Sequence, residues 1–335
     1  MNLLGAPFSL IYGSALAARN WAFDRGILSQ HEFKIPVISV GNLNVGGTGK
    51  SPMIEYLVHL LTQEYKIGVI SRGYGRKTKG YLEVSLAHSA LEVGDEPRQI
   101  KQKFPEITVA VCADRVSALK TVSPKCEVIL LDDAFQHRYV RPTLNILLTQ
   151  FHQPYHRDKV LPWGRLREWA SGAKRADLVV VTKCPKQLAH AQGQSLQYEL
   201  NLTEAQSFYA TTIEYEDYCV GLNEKISFDE FIKRPFVLVT GIANPKPLVA
   251  QLEQRGVRFD HFSFADHHYF SATEIKKLQQ HELILTTEKD FQRLGDQLQK
   301  KAIYYWPIRT KFLFNQQEAF DLEVLRRIAF HRSRL

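Results

Sequence analysis

Short apolar runs recur along the first half of the chain, spaced so that one helix fits between successive pairs. The runs at 35–40, 67–70, 107–111, 128–131, 144–147 and 178–181 are continuous and rich in valine and isoleucine. A strand with one wet face alternates apolar and polar positions, whereas a strand covered on both faces does not need to. These six runs are therefore predicted as parallel strands of one sheet. Between the first two, Ile54, Leu57, Val58 and Leu61 follow helical spacing, which predicts a helix starting near Pro52. Proline is tolerated in a first helical turn because its missing N–H had no partner there. Strand, helix, strand in repetition reads as an α/β sandwich.

The pattern shifts near residue 200. Aromatic, β-prone stretches at 205–220 and 303–314 flank a second, smaller α/β block over 222–300, with strands expected at 236–240 and 283–286. The two flanking stretches are expected to pair with each other as a β linker. The first domain then covers 31–204, preceded by a helix within 1–30 and followed at the end by a basic helix over 315–335. The arginines of that last segment, Arg326, Arg327, Arg332 and Arg334, read as a solvated helix end.

Composition narrows the picture only a little. With 335 residues, 44 % apolar and 23 % charged, the chain suits two globular domains and excludes a long disordered region. The formal charge of +8 calls for an anionic partner. Cys112, Cys126, Cys184 and Cys219 form no CxxC pair, so they read as reduced thiols of a cytoplasmic protein rather than as zinc ligands or a disulfide framework. Residues 1–18 carry no charge, but the run is short of the roughly 20 residues a spanning helix needs, and Gly5, Pro7 and Gly13 interrupt it. Phe8, Ile11, Tyr12, Ala15, Leu16 and Arg19 fall on one helical side. Either the helix lies on a membrane surface, with Arg19 and Arg25 near headgroups, or its apolar side packs on its own domain.

The chemistry starts where the first strand ends. Residues 41–51 read GNLNVGGTGKS and lead into the predicted helix. Glycines allow backbone N–H groups to turn toward phosphate oxygens, and a helix N-terminus adds partial positive charge. Within this loop Asn44, Val45, Gly46, Gly47, Thr48, Gly49, Lys50 and Ser51 are the candidate nucleotide-phosphate contacts. Lys50 is placed to reach the β- and γ-phosphates and Ser51 to bind Mg²⁺. The common GxxxxGK[ST] pattern puts glycine where this chain has Asn44, and asparagine is the residue that best substitutes in a left-handed backbone. About 80 residues downstream, Glu127-Val-Ile-Leu-Leu-Asp132-Asp133 is an apolar strand ending in two carboxylates, the form of a Walker B element that holds Mg²⁺.

Further polar clusters lie at 71–77 (SRGYGRK), 94–97 (GDEP), 161–168 (LPWGRLRE), 266–268 (DHH) and 286–290 (TTEKD). The first suits an anionic substrate. The carboxylates of the second either cap a helix or accept a proton from an attacking hydroxyl. In the third, Glu168 can reach a metal and Arg165 or Arg167 a phosphate. The histidines lack the further ligands of a zinc site, and a carboxylate-oriented histidine can instead assist a base. The last either touches nucleotide or caps the following helix.

In this order, and with VGNLNVGGTGKSP at 40–52, ADRV at 113–116, LDDAFQHR at 131–138, TGIANP at 240–245 and FADHH at 264–268, the motifs closely resemble the tetraacyldisaccharide 4′-kinases of lipid A biosynthesis. The resemblance implies a P-loop NTPase-type α/β/α sandwich with a second, smaller α/β domain joined by a two-stranded β linker. It implies transfer of the γ-phosphate of MgATP to the 4′-hydroxyl of a tetraacylated glucosamine disaccharide 1-phosphate, giving lipid IVA. ATP and Mg²⁺ are the implied cofactors. Asp95 and His267 become the implied acid–base pair, with Lys50 as a catalytic cation. Ser51, Asp132, Asp133 and Glu168 surround the metal, and Arg72, Tyr74, Arg76, Arg115, Gln136 and Arg167 meet the lipid substrate. The implied setting is the cytoplasmic face of the bacterial inner membrane, held peripherally through the N-terminal helix. A monomer with no nucleic-acid partner is expected. Ala134 stands where the family commonly has glycine, and Trp163-Gly164-Arg165 where it commonly has Ala-Gly-Pro.

Two other classes fit parts of the pattern. A nucleotide-dependent switch or metallochaperone shares the loop, but the Asn-Lys-x-Asp element of a GTP-selective protein is absent. The nearest fragments are Val181-Thr-Lys183 and Thr287-Glu-Lys-Asp290. A soluble small-molecule kinase or ligase leaves the uncharged N-terminus without a role.

Overall fold

A computed structural model of the chain describes residues 5–266, 268–298 and 302–334. Helix α1 (Ala6–Asp24) comes first. It is followed by β1 (Val37–Asn42), α2 (Lys50–Leu61), β2 (Ile67–Ser71), β3 (Leu82–Glu83), α3 (Ala90–Val93), α4 (Asp95–Lys103), β4 (Thr108–Val111) and α5 (Arg115–Val122). Next come β5 (Val128–Asp132), β6 (Leu144–Gln150), β7 (Leu178–Thr182), α6 (His190–Glu199) and β8 (Ser207–Tyr215). The chain then runs through β9 (Tyr218–Gly221), β10 (Lys225–Ser227), α7 (Phe228–Phe231), β11 (Val237–Thr240), α8 (Lys246–Glu253), β12 (Asp260–Ser263), α9 (Ala272–Leu278), β13 (Leu283–Thr286), α10 (Glu288–Leu294) and β14 (Ala302–Tyr305). It finishes with β15 (Ile308–Phe312) and α11 (Gln317–Arg332).

Among the described residues the strands form two sheets. The larger has the order β15-β8-β7-β6-β1-β5-β2-β4-β3, parallel except for its edge strands β3 and β15. The smaller has the order β10-β9-β14-β13-β11-β12, with a parallel half at β14-β13-β11-β12. All six apolar runs of the first half are central strands of the larger sheet. They are buried on both faces, which is why they carry no alternation. β1 begins at Val37, two residues after the apolar run does, because Pro36 has no N–H to give to a ladder.

One face of the large sheet is covered by α2, α4 and α11, whose Leu57, Ile100, Phe320, Val324 and Ile328 share a core with Ile38 and Val40. The other face packs Leu119 of α5 and Leu196 of α6. The C-terminal helix is thus a structural layer and not only a solvated end. Its Phe320, Val324 and Ile328 are fully buried at helical spacing, each contributing about 1.5–3 kcal/mol by burial. Its arginines do lie outward, with Arg327 facing Asp177 at 3.7 Å and Arg332 facing Glu127 at 3.5 Å.

The stretches at 205–220 and 303–314 pair with each other through β8 and β15, as expected, and they also join the two sheets. Each is divided between the sheets. β8 pairs in parallel with β7 and antiparallel with β15, so both extend the large sheet, whereas β9 and β14 pair with each other in the small one. The break in the second stretch falls at Trp306-Pro307. Trp306 is buried against Phe228 and donates to the Glu216 carbonyl at 2.7 Å, and proline again cannot continue a ladder.

Helix α1 rests on the loop at 160–169 with an inverted pattern. Ser9, Gly13 and, in the last turn, Phe23 are buried, while Phe8, Leu10, Ile11 and Trp21 are exposed. The Ser9 hydroxyl donates to the Val160 carbonyl and accepts from the Trp163 N–H. A Cβ on Gly13 would come within 2.6 Å of the Trp169 ring, so only glycine permits this approach. The helix thus packs on its own domain through Ser9, Gly13 and Phe23, while the side that carries Phe8, Ile11, Tyr12 and Ala15 is exposed. No helix among the described residues is long and apolar enough to cross a membrane.

The two sheets meet along α4 and α10. Four ion pairs cross between these helices and the turn after α10: Asp95–Arg293, Glu96–Lys289, Arg98–Asp296 and Lys103–Glu288. Lys103 also pairs with Glu55 of α2 at 2.6 Å. Burial, and then the neighbouring Glu55, pushes the Glu288 carboxyl up to about 7, against the pull of Lys103. The folded chain therefore keeps a proton on Glu288 that the unfolded chain loses near pH 4, and this contribution to stability drains away as pH rises toward about 7. The stability of Glu288→Gln minus that of wild type should rise between these limits by on the order of 1–3 kcal/mol and then level off. Urea unfolding of both proteins at pH 5 and pH 8 measures it, and an unchanged difference would count against a raised Glu288.

Candidate active site

The parallel register brings the chemistry to one edge. Val40 lies beside Asp132, so the loop leaving β1 and the carboxylates ending β5 share the same end of the sheet. The loop is held from below by buried polar contacts. Asn42 donates to the Thr48 hydroxyl at 2.7 Å, Thr182 donates to the Thr48 carbonyl at 2.8 Å, and Val45 N–H bonds to the Arg165 carbonyl at 2.8 Å. Gly49 caps α2 with φ +89°, a left-handed conformation that costs glycine least. The helix starts directly at Lys50, two residues before the proline that marked it in the sequence.

Position 44 does not use a left-handed backbone. Asn44 bridges to Leu166, and its side-chain amide donates to Asp158 at 3.0 Å. Its difference from glycine is accommodated by a bonded side chain instead of a special φ. Likewise the left-handed residue of the Asp-Asp-Ala turn is Asp133, at φ +50°, and not Ala134.

Four carboxylates gather at this edge, and three have their own cation. Asp133 lies 3.7 Å from Lys50 and 2.8 Å from Arg167. Asp95 lies 3.4 Å from Arg293, and Glu96 pairs with Lys289. Glu96 also accepts a bond from the Ser51 hydroxyl at 3.2 Å. Lys289 above all holds the Glu96 carboxyl down at about 2, against the effect of burial. Asp132 differs. It is buried, one oxygen accepts from the Ser71 hydroxyl at 3.0 Å, and the other has no partner. Burial first, then Glu96 and Asp133, raise its carboxyl to about 7. An unpartnered oxygen among carboxylates and a serine hydroxyl is a set of hard donors suited to Mg²⁺. No complete metal-ligating group of three His, Cys, Asp or Glu occurs among the described residues. Mg²⁺ normally takes one or two carboxylates and completes its shell with water and phosphate oxygens.

Asp95 opens on a cleft lined by Tyr74, Gly75 and Ala90 from the large-sheet side and by Tyr269 from the small-sheet side. Tyr269 donates to the Gly75 carbonyl at 3.4 Å across it. His267, the expected partner of Asp95, lies outside the described residues. On the other flank of the loop Lys183, at the end of β7, donates to the Gly47 carbonyl. Burial, then the nearby Lys289, Lys50 and Arg165, push its ammonium below the ordinary lysine value. A cation crowded by cations is what an anionic ligand relieves.

Several residues expected at the site lie elsewhere or do other work. The Glu168 oxygens accept from Asn20 (2.7 Å), Gln136 (3.0 Å) and Arg175 (2.7 Å). These donors from α1 and its surroundings neutralise it, so it ties α1 to the loop below. Gln136 also donates to the Asn42 carbonyl at 2.9 Å. Arg76 is taken up by its own loop, bonding Thr78 and the carbonyls of Gly80 and Val111. Arg72 and Tyr74 are exposed beside the cleft, and Arg115 is buried at the start of α5, within electrostatic reach of Asp132 and Asp133. Glu96, Ser71 and Lys289 had been visible only as members of motifs. Lys183 belongs to a fragment set aside as a poor nucleotide-selectivity match. Arg293 had no local signal beyond lying one turn after Asp290.

Arg293 is the anchor of the small-sheet contribution. It pairs with the fully buried Asp290 at 2.9 Å, reaches Asp95, and donates to the His268 carbonyl at 3.0 Å. Removing one partner of such a pair strands the other charge. Arg293→Met should therefore lose about 3–5 kcal/mol in urea unfolding, and a loss near zero would show that Asp290 is satisfied without it.

Comparisons with known proteins identify the family. The family model for tetraacyldisaccharide-1-P 4′-kinase matches residues 1–329. The tetraacyldisaccharide 4′-kinase of Flavobacterium johnsoniae is 43 % identical, with 98 % of each chain covered. That of Phocaeicola vulgatus is 42 % identical over 95 % of this chain and 93 % of its own. Among solved structures, the "apo" form of LpxK from Aquifex aeolicus in complex with ATP superposes with a TM-score of 0.78 at 30 % identity, covering 96 % of this chain and 98 % of that one. With the motifs, the two-sheet fold and a match along nearly its whole length, the chain belongs to the tetraacyldisaccharide-1-P 4′-kinase family.

Proposed function

We propose that this chain transfers the γ-phosphate of ATP to the 4′-hydroxyl of a tetraacyldisaccharide 1-phosphate, yielding lipid IVA for lipid A biosynthesis. The observation that carries the reading is the meeting of the phosphate loop with Asp95 at a cleft shared by both sheets. A nucleotide switch needs no acceptor cleft and has no support from the family, whose named relatives are kinases.

Phosphoryl transfer depends mostly on positioning and on charge stabilisation. Loop residues 44–51 would surround the polyphosphate, with Lys50 and Lys183 supplying cations on its two sides. Ser51, Asp132 and Glu96 are the residues that fit Mg²⁺, and Asp133 lies beside them. When bound, Mg²⁺ supplies positive charge to the β- and γ-phosphate oxygens. Asp95 would accept the proton of the attacking 4′-hydroxyl, with His267 as its partner as the motif implies. Arg293 fixes the Asp95 carboxylate from one side, so the acceptor approaches from the cleft. The exposed Arg72 would offer a cation to the anionic lipid, with Arg167 beside it paired to Asp133 and Arg115 buried behind the two aspartates, whereas Arg76 shapes the loop that carries Arg72. Asp95→Asn should lower kcat about 10²–10⁴-fold, the range of a lost general base, with the KM for ATP nearly unchanged. Steady-state assays with MgATP and the lipid acceptor measure both, and near-normal kcat would overturn the role of Asp95.

The same reading extends to the membrane. The exposed Phe8, Leu10, Ile11 and Trp21 of α1 form an apolar strip that suits the acyl region of a bilayer, with Arg19 and Arg25 behind it. The chain would lie peripherally on the cytoplasmic face of the inner membrane as a monomer, presenting the cleft to its lipid. Phe8→Ser with Ile11→Ser should abolish most co-sedimentation with anionic vesicles while leaving ATP binding intact; equal sedimentation would remove α1 from this role.

A further inference from the structure

Lys289 occupies a place for which its own helix gives no reason. It is on α10 of the small sheet, yet its ammonium bonds the same Glu96 oxygen that accepts from Ser51 of the phosphate loop. It is also within electrostatic reach of Asp132 and Asp95. Lys50 and Arg167 pair with Asp133, and Arg293 pairs with Asp95 and Asp290. Lys289 is the cation bonded to Glu96, with Lys50 acting on Glu96 from farther off, and it lies beside an Asp132 whose second oxygen is unpartnered.

A divalent ion held by Ser51, Glu96 and Asp132 would use the oxygen that Lys289 holds. Like charges sharing one carboxylate oxygen repel, and the repulsion is doubled when one of them is divalent. We propose that Lys289 is a tethered stand-in for the divalent cation: it neutralises Glu96 in the nucleotide-free chain and must withdraw for a metal ion to bind. Because Lys289 belongs to the small sheet, its withdrawal releases one of the ion pairs that join α4 to α10, so metal loading and the placement of the small sheet are coupled. The ammonium so released remains at the cleft, where the next anion available to it is the nucleotide's phosphate. Lys289 is a positioning residue in this scheme, acting through Glu96.

The inference rests on the reading that Ser51, Glu96 and Asp132 hold the divalent ion, and the experiment separates the two. Binding of Mn²⁺, used as a paramagnetic probe without nucleotide, is titrated by electron paramagnetic resonance for the full chain. Lys289→Gln and Lys289→Met should bind Mn²⁺ at least about tenfold more tightly than wild type, and Lys289→Arg should return binding to the wild-type range. Unchanged or weaker binding by both neutral variants overturns the exchange. Asp132→Asn tests the metal site itself: if it binds Mn²⁺ as wild type does, the site reading fails independently of Lys289. A measurement on the wild-type chain covers the case of variants that do not fold. Saturating Mn²⁺ should raise the rate at which Lys289 is acetylated by acetic anhydride, read by mass spectrometry, and an unchanged rate overturns the proposal.

Discussion

Helices α4 and α10 come from different sheets, and the charged side chains between them decide where the second sheet stands over the phosphate loop. α4 begins with Asp95 and Glu96, directly at the cleft, and its later turns carry Arg98 and Lys103. α10 and the turn after it answer with Glu288, Lys289, Arg293 and Asp296. Half-buried pairs of this kind add little net stability over apolar contacts, but they are demanding about partner and register. A shift of one helical turn along either helix would break all four pairs and set Asp95 against Asp290 or Asp296. The seam thus favours one placement of the small sheet, and the same residues that set it are the residues of the site.

That economy explains the charge distribution at the loop. On one flank stand carboxylates, three of them matched by cations and Asp132 with an oxygen free. On the other stand Lys183 and Arg165, near Lys50 and without an acidic partner among the described residues. A metal–polyphosphate complex has the complementary pattern, a cation near one end of a chain of anionic oxygens. Its binding would relieve repulsion on both flanks at once.

Helix α1 contributes in a different currency. It buries Ser9, Gly13 and Phe23 but exposes Phe8, Leu10, Ile11 and Trp21, so most of its large apolar side chains lie outside the core. The loop beneath it, with Glu168, Gln136 and Arg167, leads directly to Asp133. Bonded neighbours thus connect α1 to the phosphate loop.

The local pattern was enough to identify the central strands, the phosphate loop and the paired aspartates, because each is made by neighbours in sequence. A strand buried on both faces shows as a continuous apolar run, and a loop that binds phosphate with its backbone must carry its glycines and lysine at short spacing. Even the order of the motifs sufficed to indicate the family. Edge strands such as β12, with Asp260 and His261 exposed, gave no such signal, since a wet edge needs no apolar run. The tertiary structure alone decided which carboxylates meet which cations. Glu168, expected near a metal, accepts hydrogen bonds from Asn20 and Arg175, which nothing in the spacing of the motif marks as its partners. Lys289 and Arg293 reach Asp95 and Glu96 across nearly 200 residues, and no local pattern records a pairing made by two helices of different sheets. Coulomb interactions act through space, so they are written in the fold and not in the spacing of residues along the chain.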